Sequence, residues 1–156
     1  MDIKLPMIYL ICLFLLSSLF KFESFGAKIC EYPEMAKVKI SRKEDVIKAV
    51  SVTLATTPIM RQRGLMFCPA LSDGTGMLFI YPDAKRRTFW MKDTLIELAI
   101  IFITADGRIA AIERGEPGSL DYIQSPDDIQ SVLEVNYSES RVLKVGDNIR
   151  VWMNSN

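Results

Sequence analysis

No histidine occurs among the 156 residues of this chain. That absence removes Ser-His-Asp and Cys-His catalysis, imidazole acid–base work near neutral pH, and every zinc site built on imidazole. An enzyme made from this sequence would have to rely on carboxylates, Lys, Tyr, Cys or a cofactor. Net charge is missing too, because 19 Lys and Arg balance 19 Asp and Glu. A neutral chain exerts no overall attraction on nucleic acid or anionic lipid, and no basic stripe with stacking aromatics makes up for it. Nucleic acid is therefore not an expected partner. Internal repeats, heptads and low-complexity tracts are absent as well. "GTGMLF" lacks the strand before and helix after that a dinucleotide-binding loop needs, so no cofactor is expected.

A long hydrophobic run is also lacking. The apolar stretch from Met7 to Phe20 is about fourteen residues, whereas a membrane-spanning helix needs roughly twenty. It follows Lys4, is closed by Lys21, and leads to "SFGA", in which Ser24 and Gly26 suit the minus-three and minus-one positions of a cleavage site. Residues 1–26 thus read as a secretory signal, although Asp2 offsets Lys4. The alternative is an uncleaved anchor held in the inner membrane by residues 7–20, the chain's only expected membrane contact. Neither "YLIC" nor "AKIC" offers the small residues that precede a lipidated Cys. Either way the domain is expected to be periplasmic or secreted. Cleavage removes Cys12 and leaves Cys30 and Cys68, which an oxidising compartment would allow to pair. In the plainer alternative, Cys30 lies in a flexible arm and Cys68 is a small buried apolar residue.

About half the chain is apolar, 49%, enough for one conventional core. Residues 27–45 read as a leader with a first strand, and 46–156 as the remainder of one β domain. Alternation at Val38/Ile40 and at Val50/Val52/Leu54 marks half-buried strands. In "TPIMRQRG", Thr57 is the N-cap of a short helix, Pro58 takes its first position and Gly64 follows its end. "LMFCPALSDGTG" is a loop, "MLFIY" a strand closed by Pro82-Asp83, and Asp106-Gly107 the turn of a hairpin between "LIELAIIFIT" and "RIAAIERG". "EPGSLDYIQSPDD" is a polar connection, "IQSVLEVN" a strand, "YSESRVLKV" a short helix opened at Ser138, and "GDNIRVWM" a turn with a closing strand. Short strands with tight turns predict a mostly-β fold, a compact sandwich or barrel-like single domain with one or two short helices.

Six blocks occur in order: "GLMFC", "GMLFIY", "FWMKDTLIELAIIFI", "DGRI", "VLEVN" and "VGDNIRV". Together they resemble the DUF192 family (UPF0127), small bacterial and archaeal proteins that are often exported, over about residues 50 to 152. The resemblance implies a compact mostly-β fold and no established biochemical activity. This chain departs from the family pattern at Cys68, where Arg is usual, at Asp93 (Asn), at Glu97-Leu98-Ala99 (Pro-Leu-Asp) and near Ser138 (Gly). Losing one partner of a buried ion pair costs about 3–5 kcal/mol, whereas losing both can be neutral. The joint absence of Arg and Asp at 68 and 99 therefore suggests a replaced structural pair, which requires those two positions to be neighbours.

Three chemistries compete for the remaining residues. A binding pocket walled by 64–68, 76–81 and 89–97 would use Phe67 and Trp90 for apolar contact and Lys92 for charge. Asp93, Glu97 and Glu134 would then supply polar orientation for a small ligand or an envelope component. Against this, Trp90 also suits a core plug, and Asp93-Thr94 a backbone-bonded turn. A carboxylate-dependent hydrolase acting on an envelope saccharide would instead need two of Asp93, Glu97, Glu113 and Glu134 to converge. A copper carrier would draw on Cys68 with Met60, Met66, Met77 and Met91, although these methionines sit in apolar blocks where Met is ordinary core filler. The sequence favours a non-enzymatic binding module with no catalytic or metal-ligating residue.

Overall fold

The computed structural model describes residues 36–153. The expected signal segment and Cys30 lie outside the described residues. Nine strands form the fold: β1 (Ala36–Arg42), β2 (Asp45–Ala55), β3 (Thr75–Lys85), β4 (Thr88–Phe89), β5 (Leu98–Ile103), β6 (Ile109–Gly115), β7 (Ile123–Gln124), β8 (Ile129–Asn136) and β9 (Asn148–Met153). They are joined by one α-helix, α1 (Pro58–Arg63), and one 3-10 helix (Tyr137–Val142). Seven strands make a single sheet in the order β6-β5-β8-β3-β2-β1-β9, while β4 and β7 pair separately. The domain is mostly β, as the short alternating segments predict.

The two outer strands of the large sheet meet. Arg108 bridges Asn148, the Ile149 amide donates to the Gly107 carbonyl at 2.7 Å, and the Ile109 amide donates to the Asp147 carbonyl at 2.9 Å. The sheet therefore curls until its outer strands touch at this seam, which covers part of each edge. Gly107, at φ 84°, takes the left-handed turn position, and a Cβ there would lie 2.8 Å from the Ile149 carbonyl oxygen. Beside the seam, buried Asp147 accepts from Arg42 Nε at 2.8 Å and from the Lys144 amide at 2.8 Å.

Alternation sorts the side chains into two cores. Val38, Ile40, Val50, Val52, Leu78, Ile101 and Leu133 fill the interior enclosed by the curled sheet. Phe79, Phe89, Met91, Ile100, Phe102 and Val132 form a second cluster on the outer face. β5 is buried at all six positions because Ala99, Ile101 and Ile103 face one core and Leu98, Ile100 and Phe102 the other. This explains why "LAIIFI" is continuously apolar and not alternating.

The outer core exists because β2 and β3 are parallel neighbours. Parallel strands need a crossover, and residues 56–74 provide it by passing over the outer face. Leu65 and Cys68 are buried there, with Met60 and Leu71 packed alongside. Residues 86–97 and 116–128, including the β4–β7 pair, cover the remainder.

Several local expectations need correction. β3 does not stop at Pro82 but continues to Lys85, with a register shift between Ile80 and Lys85 that accommodates the missing N–H of Pro82. Leu95, Ile96 and Glu97 precede β5 and are not part of it. The helix after β8 is a 3-10 turn beginning at Tyr137, and Asn136 stands at its N-cap. Cys68 and Ala99 are not an ion-pair position vacated by two substitutions, because Cys68 belongs to the outer cluster and Ala99 to the inner one. The sheet itself lies between them.

Candidate functional site

The outer core is open at one place. A cleft of about 180 Å³ lies between the end of α1, the middle of β3, the segment from Thr88 to Trp90, and β8. Glu134 of β8 reaches it from below. In register, Glu134 stands between Met77 of β3 and Ile100 of β5. It is 5% exposed, and burial among these apolar neighbours pushes its carboxyl up from 4.5 to about 8. Desolvation is the cause of that rise, and the arginines that line the same cleft do not reverse it.

The wall above Glu134 is α1. Thr57 Oγ1 accepts from the Met60 amide at 3.2 Å, Pro58 opens the helix, and the Gly64 amide donates to the Met60 carbonyl at 2.8 Å. A Cβ on Gly64 would lie 3.2 Å from Phe79 Cζ and 3.9 Å from Glu134 Oε2, so the chain passes close over the carboxyl at this point. Arg61 and Arg63 line the cleft from the helix side. Arg61 is positioned by the Ile80 carbonyl, which accepts from it at 3.0 Å, and its guanidinium lies 4.9 Å from the Tyr81 ring centroid. Arg87 approaches the same ring at 4.1 Å and donates to Asp83. Burial raises the Tyr81 hydroxyl above its ordinary range, while Arg87 and Arg61 oppose that shift. Phe89 packs edge-on against both Phe79 and Phe102, which fixes the apolar side.

Of the residues singled out by sequence, the structure brings Trp90 and Glu134 into this cleft. Trp90 is 42% exposed at its rim, not a core plug, and Lys92 Nζ lies 5.4 Å from its ring centroid. Phe67 is 62% exposed and, like Asp93, has a left-handed backbone, with φ values of 62° and 56°. A bulky residue there is an outlier, held by a 2.7 Å bond from the Phe67 amide to the Asp93 carbonyl. Lys92 and Asp93 line a neighbouring hollow with Leu95 and Leu120, not the cleft itself. Glu97 is elsewhere, bonded to Arg114 and facing a hollow beside Leu71 and Tyr137.

These placements give the two alternatives no support. Among the described residues Glu134 is the one carboxylate lining the cleft, and the Glu97 carboxylate is engaged by Arg114 in a different hollow. Cys68 is buried and disulfide-bonded, which withdraws its thiolate as a soft ligand. Met91 is packed against Gly115. Among the described residues, no group of three His, Cys, Asp or Glu is placed to hold a metal.

Sequence reasoning missed Arg61 and Arg63, and it gave Tyr81 no role beyond its place in the wall 76–81. The two arginines were visible in "MRQRG", but only the crossover path shows that α1 lies over β8. Tyr81 is the polar end of an otherwise apolar strand, a signal that its register alone could interpret.

No curated protein matches the chain. Among solved structures, a protein of Sinorhizobium meliloti 1021 described as a "putative transcription regulator" is 29% identical. Its TM-score is 0.72, over 80% of this chain and 98% of that one. A protein of unknown function from Novosphingobium aromaticivorans DSM 12444 is 27% identical, with a TM-score of 0.71 over 83% of this chain and 95% of that one. The DUF192 family model, described as uncharacterized ACR, matches residues 38–151, from the second residue position of the inward face of β1 to the last strand. That span includes nearly all of the large sheet and every wall of the cleft, and the chain belongs to the DUF192 family.

Proposed function

We propose that this chain is an exported, non-enzymatic binding module and that its ligand site is the cleft over Glu134. The observation that carries the reading is Glu134 itself, a buried carboxyl that desolvation keeps protonated beside an open space. With no second carboxylate beside it among the described residues, this carboxyl suits holding and orienting a ligand. Export rests on the signal-like residues 1–26 and on the disulfide at Cys68, a bond typical of oxidising compartments. The regulator description of the Sinorhizobium relative is not adopted, because zero net charge supplies no basic face for DNA.

Native mass spectrometry of the purified full-length product tests this reading. We expect an amino terminus at Ala27 and a co-purifying small molecule released by denaturation. A ligand-free product with Met1 intact, whose Gly64, Trp90 and Glu134 amide signals respond to no member of a small-molecule library, would overturn it.

A further inference from the structure

We infer that the Glu134 cleft takes a small organic acid, a single carboxylate on an apolar or aromatic body, and that the Glu134 carboxyl group donates a hydrogen bond to it. This rests on the binding-module reading and names the ligand class for the same site. The charged and titratable residues that line the cleft with Glu134 are Arg61 and Arg63 from α1 and Tyr81 from β3; Thr88 and Thr94 are neutral, and no Lys or second carboxylate among the described residues lines it. With its pKa near 8, Glu134 is protonated at neutral pH and is a donor there. The cleft is then lined by two arginines and one O–H donor, a set that complements an anion with acceptor oxygens. A protonated carboxyl in an apolar site is suited to this because it donates without bringing a negative charge.

A cationic ligand fits less well. The aromatic faces that would receive an ammonium group already carry this chain's own cations, Arg61 and Arg87 on Tyr81 and Lys92 beside Trp90. The apolar body of an acid, in contrast, meets Phe89 and the rim face of Trp90. The volume of about 180 Å³ admits one small ring or a short chain and nothing much larger.

Titration of the full chain with benzoate, benzamide and benzylamine at pH 6.5 and 9.5, read by amide chemical shifts, tests the inference. Benzoate is expected to bind most tightly, to shift Gly64, Phe89, Trp90 and Glu134, and to weaken about 10- to 30-fold at the higher pH as Glu134 loses its proton. Glu134→Gln keeps a donor that does not titrate, so it should retain benzoate binding within a few-fold and lose most of the pH dependence. Arg63→Gln, at an exposed position, should weaken benzoate about 3- to 10-fold at both pH values; it decides the matter if the Glu134 variant fails to fold. Tighter binding of benzylamine, strengthening with pH, would overturn the ligand class and leave the binding module standing. A pH-independent benzoate affinity in the unmodified protein would also overturn it. If none of the three compounds shifts the cleft residues, this inference fails, whereas the binding module fails only if a wider library is silent too.

Discussion

Glu134 is where the physical chemistry of single residues matters most. Its carboxyl is raised from 4.5 to about 8, so between those values the folded chain holds a proton that the unfolded chain has released. Stability must therefore fall as pH rises across that window and level off above it. At 1.36 kcal/mol per pKa unit, the total is about 4–5 kcal/mol, as an order of magnitude. The acidic side runs the other way. Asp83, Asp106 and Asp147 are held below the ordinary carboxylate range, first by hydrogen bonds from Lys85, Thr104 and Arg42 respectively. Their contribution is present above the ordinary range and is lost as pH falls through their lowered values. Glu134→Gln removes only the alkaline slope. Its melting temperature should change little between pH 5 and 8.5, while that of the parent protein falls steadily; parallel curves for the two proteins would contradict this.

Among the secondary-structure elements, close backbone approaches decide what can be altered. Gly76 on β3 faces β8 so tightly that a Cβ would collide with the Glu134 carbonyl oxygen and lie 2.9 Å from Val135 Cγ1. At Gly115, the end of β6, a Cβ would meet only the flexible side chain of Met91, 2.5 Å from its sulfur. Gly76→Ala should therefore destabilise by about 3 kcal/mol or more and Gly115→Ala by about 1–2 kcal/mol, measured by denaturant unfolding. Equal losses would mean that the β3–β8 contact is not rigid.

The strands were largely legible, because alternation in β1 and β2 and the Asp106-Gly107 turn follow from local chemistry. α1 was legible down to its caps for the same reason. What escaped was non-local. β4 and β7 are two residues each and pair across more than thirty positions, so no period reveals them. The inward and outward faces of β5 are both apolar, so the sequence cannot say that Ala99 and Cys68 lie on opposite sides of a sheet. The cleft was readable through Trp90 and Glu134, which interrupt apolar blocks. Arg61, Arg63 and Tyr81 entered it only through the crossover between parallel strands.

At the scale of the whole molecule, one curled sheet carries a capped outer face, and the cap is where chemistry is possible. The crossover is secured by the disulfide at Cys68; with Cys12 expected in the signal segment, Cys30 is its proposed partner. Peptide mapping without reduction should yield a linked Cys30–Cys68 pair from exported protein, and free Cys30 would contradict the pairing. Tether and cleft combine into one account: a scaffold holding a buried acid at the base of an opening, with export as the proposed setting. The account stands or falls on the state of that acid. Carbon-13 NMR of the side-chain carboxyl of Glu134, followed from pH 4 to 10 in the ligand-free protein, measures it directly. A midpoint near 8 is the expected result. A midpoint in the ordinary range of exposed glutamates would show that the carboxyl is solvated or paired, and the cleft would lose the group around which its function has been argued.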